Sequence, residues 1–243
     1  MATQPLIAVV QHQAECPAAC LADWLCESDA RLVTVRPDLG ARLPAVHELD
    51  GLVVLGGIMG ATDDHEAPWL PEVRALIRRC AEAGVPTLGV CLGHQLAATA
   101  LGGRVIVNPQ GKQSGLLPVG YTAAADTDPL FGGLGHRVRG VHSNNDVVAE
   151  LPRGAVVLAQ APGGEVQAAR FAPTVWGVQW HPEVDADVFA IWCELDPPGT
   201  EQQVREAIAE VAAARPELDE AWQPLAARFV ELCRAAEPIG LAG

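Results

Sequence analysis

The segment Gly89-Val90-Cys91-Leu92-Gly93-His94-Gln95 sets a cysteine between a short apolar run, Thr87 to Val90, and a helical pattern that starts at Leu92. A thiol at such a strand-to-helix turn is placed for nucleophilic attack. The turn is tight and neighbouring strands crowd the Cβ positions, so glycines on both sides provide the room the elbow needs. The helix N-terminus favours the thiolate through its free N–H groups and dipole, and the N–H of Leu92 can point at an oxyanion. A thiolate nucleophile also needs a partner that takes its proton and later protonates the leaving group. Trp176-Gly177-Val178-Gln179-Trp180-His181-Pro182-Glu183 supplies His181 at the end of a strand, with Glu183 two residues on to fix the imidazole tautomer. The order Cys, His, acid differs from the nucleophile, acid, His order of α/β-hydrolases, which argues against a Cys-containing member of that fold. A cysteine between glycines is ordinarily only a small residue in a crowded turn; the His-x-Glu segment is what favours catalysis. His94 lies beside the nucleophile in sequence but points elsewhere on the following helix, and is read as packing. His12 is read as loop structure.

The elements that must position these residues alternate. Apolar runs at Leu6 to Val10, Leu32 to Val35, Gly51 to Leu55 and Thr87 to Val90 read as strands, each bounded by Gly, Pro or Asp. Helical spacing separates them: Leu21, Trp24 and Leu25; then Trp69 to Ala83, between Pro68 and Gly84; then Leu92 to Leu101. Continuous apolar strands divided by helices indicate a parallel sheet covered on both faces. From about Gly103 strands follow one another through Gly and Pro turns, at 104–107, 116–121, 138–141, 155–159, 166–171 and 174–178, and are expected to extend the sheet antiparallel. After Pro182 the pattern is helical, at 188–193, 201–214 and 218–235.

Gly-Val-Cys-Leu-Gly-His-Gln at 89–95 together with Gly-Val-Gln-Trp-His-Pro-Glu at 177–183 resembles the glutaminase domain of class I, or triad, glutamine amidotransferases. Leu55-Gly56-Gly57-Ile58-Met59-Gly60-Ala61 resembles the oxyanion loop of that family. With Ala67-Pro68-Trp69-Leu70 it most resembles the stand-alone members related to the glutaminase domain of GMP synthase. The resemblance implies a flavodoxin-like mixed sheet with helices on both faces. It implies a 1–195 amidotransferase domain, with 196–243 as a helical extension packed on the same domain. It also implies that Cys91 attacks the side-chain amide of glutamine to give a γ-glutamyl thioester and ammonia, with His181 as base then acid and Glu183 orienting it. The N–H groups of Gly57 and Leu92 would hold the oxyanion, Gln95 would line the glutamine pocket, and His142 and Ser143 would be substrate-binding candidates. Two positions depart from the family pattern: Ile58 stands where many relatives have Pro, and Gln113 where they often have Glu. Ammonia would pass to an acceptor on a separate ATP-dependent synthetase. The alternatives are a stand-alone γ-glutamyl peptidase or hydrolase and a non-catalytic regulatory subunit.

Composition bounds the rest. With 243 residues, 49% of them hydrophobic, the chain can bury a sizeable core, and 5% aromatic content makes that core aliphatic. A net charge of -14, with Lys112 the one lysine, argues against nucleic acid and anionic membranes as partners. No apolar run spans a bilayer, and the Met1-Ala2-Thr3-Gln4 start lacks a basic flank, so a cytoplasmic protein is expected. Seven cysteines, an odd number, suit a reducing compartment. Cys16, Cys20 and Cys26 have no zinc spacing and are read as small apolar residues of a helix. No metal or cofactor is expected, and neither a P-loop nor a G-x-G-x-x-G follows a strand, which leaves ATP chemistry to another polypeptide. A site for zwitterionic glutamine must then draw positive groups from arginines, backbone N–H groups or a partner.

Overall fold

The apolar runs of the first half become the parallel centre of a mixed sheet. The computed structural model describes residues 4–135 and 138–236, so the reading of the chain start at Met1 to Thr3 and the last seven residues of the helical extension lie outside the described residues. In chain order the elements are β1 (Leu6–Val10), α1 (Ala19–Glu27), β2 (Arg31–Val35), β3 (Gly51–Val54), α2 (Leu70–Ala83), β4 (Thr87–Val90), α3 (Leu92–Ala100), β5 (Arg104–Val107) and β6 (Gln113–Pro118). They continue with β7 (Arg139–Asn144), β8 (Asp146–Glu150), β9 (Val156–Gln160), β10 (Val166–Ala172), β11 (Val175–Val178), α4 (Ala186–Leu195), α5 (Glu201–Ala213) and α6 (Arg215–Ala235).

The main sheet runs β2-β1-β3-β4-β11-β10-β8-β5, with β9 on β10. Its first five strands pair in parallel, which is the flavodoxin-like arrangement with helices on both faces. Strand alternation divides the core. Ile7, Val9 and Val53 face a cluster with Leu21, Trp24 and Leu25 of α1, while Ala8, Val10, Leu52 and Val54 face Leu70, Val73, Leu76 and Ile77 of α2. Each such fully buried side chain stabilises the fold by about 1.5–3 kcal/mol. α2 ends where Gly84 takes a left-handed conformation at φ 73°.

The antiparallel extension differs from expectation in two ways. β8 carries only two buried valines and has no separate sequence signal. β6 and β7 leave the sheet and pair with each other, touching the rest through a bridge between Val141 and His181. Their neighbour is aromatic rather than another strand: a Cβ on Gly140 would stand 2.6 Å from the Trp180 ring, and Trp222 of α6 donates its Nε1–H to the carbonyl of Arg139 at 3.2 Å. α6 begins at Arg215, with Pro216 in its first turn rather than in a break, and buries Trp222, Leu225, Phe229 and Val230 in the cluster shared with α1. Among the described residues no helix is long and apolar enough to cross a membrane.

Candidate active site

Strand β4 ends at Val90, and the chain turns into α3 through Cys91, whose φ of 50° is uncommon for a side-chain-bearing residue. Such strain persists only where its surroundings hold it. Here Cys91 N–H donates to Val178 O at 2.8 Å, and Gln95 N–H to Cys91 O at 3.1 Å. The flanking glycines are required by contact: a Cβ on Gly93 would collide with the Val54 carbonyl, and one on Gly89 with the Gly93 carbonyl. The crowding expected from sequence is therefore present at both positions.

The loop after β3 approaches the same point. A Cβ on Gly56 would lie 2.9 Å from His181 Cε1 and 3.6 Å from Cys91 Cβ, and one on Gly57 would touch the Leu92 side chain at 3.0 Å. The two expected oxyanion donors, Gly57 and Leu92, are thus neighbours beside the sulfur, with Leu92 the first residue of α3. The loop is held from β1: the Ile58 N–H donates to Gln13 Oε1 at 3.0 Å, and buried His12 packs against Gly57 while accepting from Trp69 Nε1 at 3.1 Å. His12 is a buried support of this loop.

His181 and Glu183 are 3% and 1% exposed, and His181 Nδ1 lies 2.7 Å from Glu183 Oε1. Burial acts to lower the imidazole pKa, but the charges of Glu183 and Cys91 outweigh it and hold His181 above its ordinary value. Its Nε2 has no hydrogen-bond partner, leaving it able to take or give a proton. Cys91 Sγ receives a hydrogen bond from Gln179 Nε2 at 3.5 Å and stands 4.0 Å from the Ser143 carbonyl. Gln95 Nε2 in turn donates to Gln179 Oε1 at 3.2 Å and to the Asp146 carbonyl at 3.1 Å.

These groups open into a cavity of about 390 Å³ that Cys91, Gly57, Gln95, Ser143 and His181 line. His142 does not reach it. Its side chain is fully buried behind Ser143 because strand alternation turns the two residues to opposite faces of β7, and burial, with the charge of His181, pushes its imidazole down to about 4. His94, expected to pack, is fully buried with its ring 5.0 Å from Phe171.

Several lining residues had no signal strong enough to single them out. Lys112, the sole lysine, lines the cavity and pairs with Asp196, so the positive group comes from the residue the composition made scarcest. Asp63 and Asp146 line it too, and partial burial together with the Asp63 carboxylate raises the Asp146 pKa. Cys16 lies before α1 rather than in a helix and faces the cavity, whereas Cys20 and Cys26 are in α1. Burial, then the charges of Cys91 and Glu183, pushes the Cys16 thiol upward. Only Gln179 was legible in principle: it stands two residues before His181 and so shares its side of the chain.

An open α/β sheet with a cysteine elbow at the carboxyl end of its central strand defines a class of thiol enzymes. The family described as glutamine amidotransferase class-I matches residues 19–190, and the chain belongs to it. Among curated relatives, the glutamine-hydrolyzing subunit of GMP synthase from Methanosarcina acetivorans is 36% identical over 139 residues, covering 56% of this chain and 66% of the relative. Its counterpart from Halobacterium salinarum is 37% identical over 142 residues, covering 58% and 70%. The match to the Methanosarcina protein thus spans somewhat under two thirds of its length. Among solved structures, a glutamine amidotransferase of Thermotoga maritima superposes with a TM-score of 0.84 at 24% identity, covering 94% of this chain and 99% of the other. One from Methylobacillus flagellatus gives 0.83 at 24% identity, covering 94% and 95%. Both similarities concern the fold.

Proposed function

We propose that the chain hydrolyses the side-chain amide of glutamine through a γ-glutamyl thioester on Cys91, releasing ammonia for an acceptor on a separate synthetase. The Cys91 sulfur attacks the amide carbon while the N–H groups of Gly57 and Leu92 receive the developing oxyanion, each worth on the order of a hundredfold in rate. His181 protonates the departing nitrogen, then takes a proton from the water that hydrolyses the thioester, and Glu183 holds its Nδ1–H throughout. Gln179 steadies the thiolate, and Gln95 fixes Gln179 while facing the substrate. Lys112 and Asp146 offer opposite charges to the carboxylate and ammonium ends of the amino acid.

The observation that carries this reading is the buried 2.7 Å pair of His181 and Glu183 beside a cysteine held at φ 50° on a helix N-terminus. The relatives are named as glutamine-hydrolyzing and as one subunit of GMP synthase, which supports both the substrate and the separate synthetase. The test is ammonia and glutamate release from glutamine by the purified chain, alone and beside candidate synthetases. Activity lost in Cys91→Ser is the expected result, and equal activity in that variant refutes the reading. A γ-glutamyl hydrolase acting alone is the second reading, favoured by the apolar rim of the cavity.

A further inference from the structure

Three of the most exposed large apolar side chains among the described residues stand around one opening. Ile58, Val107 and Leu195 are 82%, 74% and 60% exposed, and all line the cavity that holds Cys91. Scattered exposed hydrophobics are ordinary, but several converging on the mouth of a cleft mark a surface that something apolar covers. They come from the loop after β3, the end of β5 and the end of α4, so no single amphipathic element accounts for them.

Their position relative to the chemistry indicates the occupant. The Trp192 ring stands edge-on to His181 with centroids 4.5 Å apart, fixed by an Nε1–H bond of 2.6 Å to the Glu15 carbonyl. Leu195 follows three residues on, on the same face of α4 and in the same cavity. His181 is the group that hands its proton to the leaving nitrogen, so whatever that nitrogen carries departs past Trp192 and Leu195. The nitrogen of glutamine carries no carbon and leaves this wall bare. An alkyl group on it would cover the wall while the glutamyl end still met Lys112 and Asp146.

We propose that the chain also hydrolyses N-alkyl γ-glutamyl amides, seating the substituent of the leaving amine against Trp192, Leu195 and Val107. This rests on the thioester chemistry proposed above and extends its substrate class. In the first step the Cys91 sulfur bonds to the γ-carbon, the C–N bond breaks, and the His181 proton passes to nitrogen to release the free amine. In the second, water bonds to the same carbon and gives its proton to His181, and the C–S bond breaks to return the thiolate and glutamate. Nothing but water is consumed.

The test compares glutamate release by the full chain from glutamine, γ-glutamyl methylamide and γ-glutamyl isobutylamide. The two alkylamines are close in basicity, so their ratio reports contact with the substituent rather than leaving-group chemistry. The isobutylamide is expected to show a kcat/KM at least tenfold higher, since each buried carbon is worth roughly fourfold. Leu195→Asp and Val107→Asp, at exposed positions that disturb no core, are expected to cut that ratio at least fivefold. A wild-type ratio near one, with glutamine still hydrolysed, overturns the alkyl-amide proposal and leaves the glutaminase reading standing. A high ratio untouched by both substitutions overturns it as well and turns the rim into a docking face for another polypeptide. Absence of hydrolysis with all three compounds overturns both readings.

Discussion

Replacing Glu183 by Gln keeps the volume of a side chain that is 1% exposed and removes only its charge. The same molecule shows what burial does to histidines without a carboxylate on the ring. His12, His94 and His142 are each pushed down to about 4 by burial, despite a small upward pull from Asp38 on His12 and from hydrogen bonds on the other two. His181 is as deeply buried, yet the charges of Glu183 and Cys91 outweigh burial and hold it above the ordinary 6.5. A unit charge about 4 Å away at an effective dielectric of 20 is worth ~4 kcal/mol, or about three pH units. Glu183→Gln therefore drops the His181 pKa by up to about three units and leaves the Cys91 charge as its remaining support. The imidazolium needed to protonate the leaving nitrogen is then scarce at neutral pH. The glutamine amide can also donate to Nδ1, favouring the tautomer whose Nε2 already carries a proton and cannot accept one. Glutamate release followed from pH 5 to 9 is expected to fall roughly 10²–10⁴-fold in kcat/KM at pH 7.5, with the alkaline limb moved two to three units toward acid. A loss of less than about tenfold with that limb unmoved would refute the role given to Glu183.

Gly93→Ala should cost about 1–3 kcal/mol in urea denaturation, since its new methyl meets the Val54 backbone and pushes α3 off β3. The same displacement moves Cys91, and kcat should fall on the order of a hundredfold; an unchanged midpoint and rate would show that the elbow has slack. Gln179→Leu removes the hydrogen bond to Cys91 Sγ, so alkylation of Cys91 by iodoacetamide should require a pH about one unit higher, and an unshifted profile would deny the amide that function. Acid should destabilise the fold through His12, His94 and His142. Their folded pKa values lie below 6.5, so the unfolded chain binds more protons, and the stability that their neutrality contributes above 6.5 is lost as pH falls toward 4. The slope from these three groups approaches roughly 4 kcal/mol per pH unit, and a flat dependence of urea stability between pH 4.5 and 6 would contradict their burial.

Most of the architecture was legible because the first half obeys two periods cleanly. β1, β4 and β5 have the bounds read from their apolar runs, and α2 begins one residue after the helix expected at Trp69. Departures occur where tertiary contact decides. Asp146 to Glu150 pairs as β8 although only Val147 and Val148 are buried, because β5 and β10 flank it. β6 and β7 alternate well enough to join the sheet, yet Trp180 and Trp222 occupy the space a further strand would need.

The candidate site divides along the same line. Gly57, Cys91 and His181 follow β3, β4 and β11, and His12 and Gln13 follow β1, all strands that run in parallel and therefore deliver their next residues to one edge. For such residues, finding the strand is nearly equivalent to finding the site, and that is why the elbow and the His-x-Glu segment could be read from spacing. Lys112, Asp196, Trp192 and Leu195 reach the cavity by another route: a turn after β5 and the last turn of α4, both set by packing rather than by strand direction. His142 shows the corresponding error. It sits in the right strand, but the register of β7 gives the cavity to Ser143, and a one-residue difference in a period of two turns a binding candidate into a buried support. The chemistry of the site is thus written in the parallel strands, while what the site prefers is written in the antiparallel turns and the helix end that close over them.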